Sequence, residues 1–412
     1  MENAEKTRKH SSINMAAISL GAVMFSSYVG PGFASGTQTV QYFLTKGWVG
    51  VFLGVIVCGI LSFIVEYIGT EWIRIRRPEH YRENSDFIYQ NNKTLRLIIG
   101  TFKDIFSFLT PVMSVAAQIS AVSLLLNSLW GVPEKLGAYG YCVVVLVMAL
   151  FGAKILRLTG SGLTIAILGV TLYIAVTGIP NAWSGMKEFL ALRQTPQDYG
   201  FSTINAWYIM IIFMGNFLCG SDACVSASRG VILTKKDVLL KAGTNAILCV
   251  LSTLVYTVVF AAGMPGITQE SLPTLWALQN ICGGPKGAQI LYAILAISAM
   301  LSTGIAVIFG VADRWVKPLG KIMPKVSPLL RKGMVAVLIL AICLWGSKFG
   351  IIAIIYYGFV YMGKISWPVL VLLPTILIPI RIAHDRKAGL IGEDGIYRDA
   401  ASLEQIAAEQ VG

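Results

Sequence analysis

Residues 26–38, Ser-Ser-Tyr-Val-Gly-Pro-Gly-Phe-Ala-Ser-Gly-Thr-Gln, lie inside a long apolar run between Met15 and Phe43. A run of that length predicts a transmembrane helix. Gly30, Pro31 and Gly32 oppose one: proline lacks a backbone N–H and clashes with the preceding turn, and glycine is entropically costly in a helix. Unwound backbone at membrane depth is tolerated only where protein buries it or where it lines a water-filled cavity. The run therefore predicts a helix broken near Gly30, with a site at the break.

Composition fits that setting. The 412 residues are 55% apolar and 13% charged, against about 25% charged in soluble domains, so the chain reads as an all-α integral membrane protein whose partner is the lipid bilayer. The net charge of +12 is explained by basic cytoplasmic loops and gives no reason to invoke nucleic acid. The polar start, residues 1–14, and the length of the first apolar run predict no cleavable leader. Seven cysteines form no C-x-x-C pair, and the three histidines lie in polar flanks. These residues predict no cofactor and no His/Cys metal cluster.

Hydropathy predicts about ten spans: 15–44, 48–73, 95–130, 136–153, 157–179, 203–233, 237–263, 286–316, 333–347 and 349–380, with a short helix near 268–281. With the N-terminus inside, the inner loops hold Arg74, Arg76, Arg77, Arg82, Lys93, Arg96, Lys154, Arg157, Arg229, Lys235, Lys236, Lys241 and the basic cluster from Arg314 to Lys332. The outer loops hold Lys46, Lys135, Lys187, Arg193, Lys286 and Lys348. Counting both tails as inner, the asymmetry is about four to one and alternates loop by loop, so both termini are expected in the cytoplasm. The expected organisation is a cytoplasmic tail (1–14), a first five-helix repeat (15–179), an extracellular connection (180–202), a second five-helix repeat (203–380) and a cytoplasmic tail (381–412) carrying an amphipathic stretch at 400–410.

The sixth span contains Met214-Gly215-Asn216-Phe217-Leu218-Cys219-Gly220-Ser221-Asp222, which predicts a second interrupted helix. Matched interruptions in two halves point to an inverted-repeat transporter with a mid-membrane site; Gly215 and Gly220 could instead serve close helix packing. At the first break, N–H groups after Gly32 suit an anionic substrate group, and carbonyls before Gly30 suit a cation. The eighth span adds Ala299, Ser302 and Thr303, hard oxygen ligands for a weakly bound monovalent ion, although such hydroxyls also bond back to the preceding turn. Asp222 and Lys364 are charges within spans. They read as a coupling charge and its partner or gate, or as a structural pair. Glu66, Glu71, Lys103 and Asp104, near cytoplasmic span ends, read as gate or loop salt bridges.

Ten spans, breaks in the first and sixth, and a hydroxyl pair in the eighth resemble the five-plus-five inverted-repeat transporters of the amino acid–polyamine–organocation superfamily, the LeuT-type fold. Val29-Gly30-Pro31-Gly32-Phe33-Ala34-Ser35-Gly36 followed by Gln41-Tyr42-Phe43 resembles the YkvI-type bacterial membrane proteins within it, with Pro31 where a small residue is common. The resemblance implies a sodium site from the carbonyls of Ser26, Val29 and Ala299 and the hydroxyls of Ser302 and Thr303. It implies a substrate site at Tyr28, Gly30, Gly32, Phe33, Asn216, Phe217 and Ser221, faced by Gln118 on the third span, and the charge of Asp222 beside it could meet a cationic group on the substrate, bind a second ion or carry a proton. Gln118 could equally make a helix–helix hydrogen bond, and Phe33, Phe213 and Phe217 could shape the pocket.

The expected function is a secondary active transporter of a small organic solute, an amino acid or related amine or zwitterion, in a bacterial inner membrane, working by alternating access. Sodium is the expected coupling ion, with proton coupling, a channel and a transporter-fold sensor as alternatives. An enzyme is not expected: the spans hold no histidine and no paired carboxylates, and no phosphate-binding Gly-x-x-x-x-Gly-Lys-Ser/Thr loop is present. Nothing in the sequence fixes the oligomeric state.

Overall fold

The first helix, α1 (Met15–Tyr28), is mostly apolar up to Phe25, and its described part ends just before the Gly-Pro-Gly sequence. Gly30 is extended (φ −86°, ψ −167°), and Pro31 opens a single turn, Pro31–Ala34, at a position where a missing N–H costs nothing. That turn ends at Ser35 and Gly36. Gly36 adopts φ +86°, and a Cβ there would sit 2.7 Å from the Phe260 ring and from the Thr274 hydroxyl, so glycine is required for both backbone and space. A six-residue helix, Thr37–Tyr42, and a tight turn, Leu44–Lys46, lead into the second span.

The structure, a computed structural model, describes residues 14–28, 30–78, 81–89, 92–151, 153–220, 225, 227–392 and 394–398, with main chain alone at 26–28, 81–82, 151, 153–167, 214–220, 313–315 and 317–318. After α1 come α2 (Leu53–Arg76), α3 (Lys93–Trp130), α4 (Glu134–Phe151), α5 (Ala153–Ala191), α6 (Thr203–Gly220), α7 (Lys235–Ala261), α8 (Lys286–Ile322), α9 (Pro328–Ser347) and α10 (Ile351–Lys387). Among the described residues, six of these, α2, α3, α7, α8, α9 and α10, contain stretches long and apolar enough to cross a membrane. Outward-facing Leu97, Val176, Leu251, Leu338 and Ile380 are exposed, as expected of surfaces solvated by lipid rather than water.

Local chemistry sets the ends. Asn92 caps α3 by accepting from the Leu95 N–H at 2.9 Å, and Gly131 closes it at φ +66°. Thr234 and Asp237 form a reciprocal capping box at the start of α7. The fifth helix runs through Pro180 to Ala191, so part of the expected connection at 180–202 is helical. The sixth helix runs unbroken from Thr203 to Gly220. Gly215 and Asn216 therefore lie within the helix, as small and polar residues in a packed membrane helix can, and the rest of the expected interruption, at Ser221 and Asp222, lies outside the described residues.

The packing divides the helices into two groups. In one, α7 lies against α1 and α2, and α6 packs on α2 and α1. In the other, α8 and α9 pack on each other and on α3 and α4. The fifth helix bridges the groups by packing on α7 and α8, and α10 lies along α2, α6 and α3. A continuous apolar core includes Phe33, Phe43, Val115, Phe213, Tyr256, Phe260 and Ile308. In α10 the backbone forms π-helical turns at Ile354–Val360 and Trp367–Leu372. Pro368 has no N–H to offer the Lys364 carbonyl four residues earlier, and the Tyr208 hydroxyl of α6 donates to that carbonyl at 2.7 Å.

Candidate functional site

The first break is held from several sides. The Pro31–Ala34 turn packs against α3 and α8. The Tyr292 hydroxyl of α8 donates to the Ala34 carbonyl at 2.8 Å. Ser35 accepts at its carbonyl from the Thr274 N–H at 2.9 Å, and the Thr37 hydroxyl donates to the Ser271 carbonyl at 2.9 Å. The break is thus clamped between α8 and the Pro273–Asn280 helix. Gly32 is buried so close to α10 that a Cβ would lie 2.6 Å from Ile355 Cδ1, and its N–H and that of Phe33 open the new turn. Because Gly36 ends this turn after four residues, no long half-helix dipole points at the break. The local N–H groups remain as the anion-directed donors.

The other expected substrate residues divide. Phe33 is fully buried and meets Tyr256 of α7 edge-on at 5.1 Å. Phe213 packs against Phe43 and Tyr42, with centroids 4.7 and 5.3 Å away. Gln118 is fully buried at mid-α3, where its Oε1 accepts from the Tyr141 hydroxyl of α4 at 2.6 Å. Tyr141 also lies 3.0 Å from the Met300 carbonyl of α8, and the Gln118 amide donates to the Ser114 hydroxyl at 3.3 Å. This network ties α3, α4 and α8, the helix–helix role left open for Gln118. Side chains of Tyr28, Asn216 and Phe217 lie outside the described residues, as do Ser221 and Asp222 entirely.

Of the expected sodium ligands, Ala299 and Thr303 sit on one face of α8, the Thr303 hydroxyl donating to the Ala299 carbonyl at 3.0 Å. That back-bond leaves lone pairs on both oxygens. Ser302 follows on the same helix and is partly buried. Ser26 is in the last turn of α1 with only its main chain described, and Val29 lies outside the described residues. A cavity of about 20 Å³ lies beside Ala299, lined by Ala34, Val170, Tyr256, Tyr292, Leu295 and Ala296, room for one water-sized particle. Among the described residues, no group of three His, Cys, Asp or Glu side chains is arranged to hold a metal ion.

Charges expected near the cytoplasmic ends are partly resolved. Glu66 of α2 pairs with Lys241 of α7 at 2.5 Å, and Glu71 holds Arg74 through two hydrogen bonds of 2.7 and 2.8 Å. Lys364 makes no ion pair among the described residues, and its ammonium lies 5.0 Å from the Tyr361 ring centroid. Sequence reasoning missed the tyrosines Tyr141 and Tyr292, whose hydroxyls cross between helices. It also placed Lys46 as an ordinary loop charge, whereas it is fully buried. The adjoining Gly47, at φ +75°, packed against the Gln194 carbonyl, was the available sign of a tightly folded segment.

No protein-family model matches the chain, and no curated protein matches it. Solved structures do. The chain aligns over 91% of its length with 82% of a sodium-coupled sialic acid symporter, at 14% identity and a TM-score of 0.55. It aligns over 96% of its length with 95% of MhsT in complex with L-phenylalanine, at 14% identity and a TM-score of 0.53. It also aligns over 97% of its length with 91% of a manganese transporter mutant from Eremococcus coleocola, at 15% identity and a TM-score of 0.50. At such identities the likeness is one of fold: this chain has the multi-pass helical membrane fold of LeuT-type transporters.

Proposed function

We propose that this protein is a sodium-coupled symporter of a small organic solute, an amino acid or related amine or zwitterion, acting by alternating access in a bacterial inner membrane with both termini cytoplasmic. The observation that carries the reading is the break at Gly30, clamped between α3 and α8, with the Ala299 carbonyl and Thr303 hydroxyl 3.0 Å apart on the facing helix. Support for a five-plus-five inverted repeat comes from the grouping of α1, α2, α6 and α7 on one side and α3, α4, α8 and α9 on the other, which pairs each helix with the one five positions later. The first helix contributes to both proposed sites. Solute at Gly30, Gly32 and Asn216, and sodium at Ser26, Val29, Ala299, Ser302 and Thr303, would therefore stabilise each other.

The test is a thermal-stability screen of the detergent-purified protein with amino acids, small amines and carboxylates, in sodium and in potassium. A ligand binding only the folded state raises stability by about 2.7 kcal/mol at a hundred times its dissociation constant. A solute that stabilises only in sodium is expected. In the Ser302→Ala/Thr303→Ala double variant, solute stabilisation should become independent of sodium. Sodium dependence unchanged in that variant would refute the assigned ion site. A solute that stabilises equally in both salts would replace sodium coupling by proton coupling.

A further inference from the structure

Lys46 is fully buried two residues before the exposed Trp48, in the turn Leu44–Lys46 that joins the first span to the second. Its ammonium donates to the Gln41 carbonyl at 3.0 Å and to the Thr45 hydroxyl at 2.7 Å, and lies 3.6 Å from the Phe201 ring centroid. Every one of these partners is neutral, and no carboxylate pairs with Lys46 among the described residues. A buried cation without a counter-charge is costly, whereas a neutral amine keeps both hydrogen bonds. We propose that Lys46 is a proton-binding site on the outer side of the protein, whose occupancy sets whether the segment from Thr37 to Val51 stays packed on the connection before α6.

The geometry links this nitrogen to that packing. Phe201, which covers the ammonium, belongs to the connection, and the Trp48 N–H donates to the Gln194 carbonyl at 3.0 Å. The proton therefore enters where the outer half of the broken span meets the start of α6. Titratable groups on the elements packed against this turn include Tyr42, Asp198 and Tyr199, and Tyr256 of α7, and Lys364 of α10 acts on it by charge. Asp198 is exposed and is held below the usual carboxylate range by the Thr195 N–H and hydroxyl. Burial raises Tyr199. Desolvation first, and the charge of Lys364 second, bring Lys46 down to about 7. The folded protein then holds fewer protons than the unfolded chain between about pH 7 and the ordinary lysine value. Stability is fully present above that value, falls on acidification, and levels out below about pH 7.

The placement of Lys46 on the outer side rests on the transporter reading above; the test does not, since it needs neither solute nor sodium. Apparent unfolding temperatures of the full-length protein are compared from pH 6 to 9 for wild type, Lys46→Met and Lys364→Met. Hydrogen exchange of peptides spanning residues 37–51, corrected for intrinsic rate, is followed alongside. The wild-type advantage over Lys46→Met should shrink from pH 9 to about 7 and then level, and exchange in 37–51 should rise over the same interval and level below it. Lys364→Met should move the levelling point to higher pH. Parallel wild-type and Lys46→Met profiles would overturn the proposal. Should Lys46→Met not fold, a pH profile of exchange in 37–51 that levels at the same point in Lys364→Met as in wild type would overturn it equally.

Discussion

Replacing Lys241 by methionine tests how α2 and α7 are held together. The Lys241 ammonium lies 2.5 Å from Glu66 Oε1 and 3.0 Å from the Thr70 hydroxyl, which in turn lies 3.3 Å from the same Glu66 oxygen. The Lys241 and Glu66 side chains are 2% and 5% exposed. Methionine fills the space of the lysine stem but leaves a carboxylate buried with only a hydroxyl partner. Removing one member of a buried pair costs about 3–5 kcal/mol, whereas replacing both by apolar residues is often neutral or stabilising. At about 2.1 cal/mol/K of unfolding entropy per residue, the 412-residue chain converts each kcal/mol into about 1 °C. Lys241→Met should therefore lower the apparent unfolding temperature by about 3–5 °C. Helices that persist in lipid after unfolding reduce that entropy and enlarge the shift.

The assay is a thermal scan at one fixed rate on wild type, Lys241→Met, Glu66→Leu and the double variant. Each single variant should be destabilised, and the double variant should recover most of the loss. A double variant as unstable as the sum of the singles would show that packing, not the uncompensated charge, carried the effect. An unchanged Lys241→Met would show that the pair contributes nothing net. Either result refutes the reasoning.

Three further outcomes are expected. Gly304→Ala places a Cβ against the Tyr141 hydroxyl and Gln118 Oε1 and should cost about 1–3 kcal/mol; adding Tyr141→Phe should relieve part of it, so thermal scans of the pair should be less than additive. Gly36→Ala forces a side chain to φ +86° against the Phe260 ring and should cost at least about 1–2 kcal/mol, read as a lower unfolding temperature. Asp385→Asn removes the charge facing Arg76, whose guanidinium lies 2.5 Å from Asp385 and 3.5 Å from the Tyr397 ring centroid. The segment at residues 394–398, held to α2 by the Tyr397 N–H on the Ile75 carbonyl, should then be cut several times faster by a protease in detergent.

What could be read from the sequence was what local chemistry decides. Gly30 and Pro31 end α1 because proline and glycine disfavour a helix in any context, and the hydrophobic runs mark helices because lipid demands them. Gly215 shows the limit of that reading: its helical propensity in water is low, yet the helix continues through it to Gly220, as a packed membrane helix allows. Side-chain destinations were illegible. Nothing in the spacing says that Tyr141 reaches Gln118, or that Lys241 finds Glu66 across 175 residues.

Those illegible contacts share a pattern that bears on mechanism. The Glu66–Lys241 pair lies within the group of α1, α2, α6 and α7, and the Gln118–Tyr141–Met300 network lies within the group of α3, α4 and α8. Each therefore stiffens one group and places no strong polar tie between the two. A bond that does cross, among the described residues, starts from the broken span itself: Tyr292 to the Ala34 carbonyl. Two internally braced groups joined through an unwound segment can shift against each other at the cost of a few hydrogen bonds, each worth about 1 kcal/mol net. Ligands binding at that segment could supply such an energy. Tyr292→Phe, which deletes the cross-bond and leaves both braces intact, should then change how the protein distributes between its two faces without lowering the stability of either group. Cysteine-accessibility measurements at the ends of α1 read that distribution, and accessibility identical to wild type would remove the Ala34 bond from the mechanism.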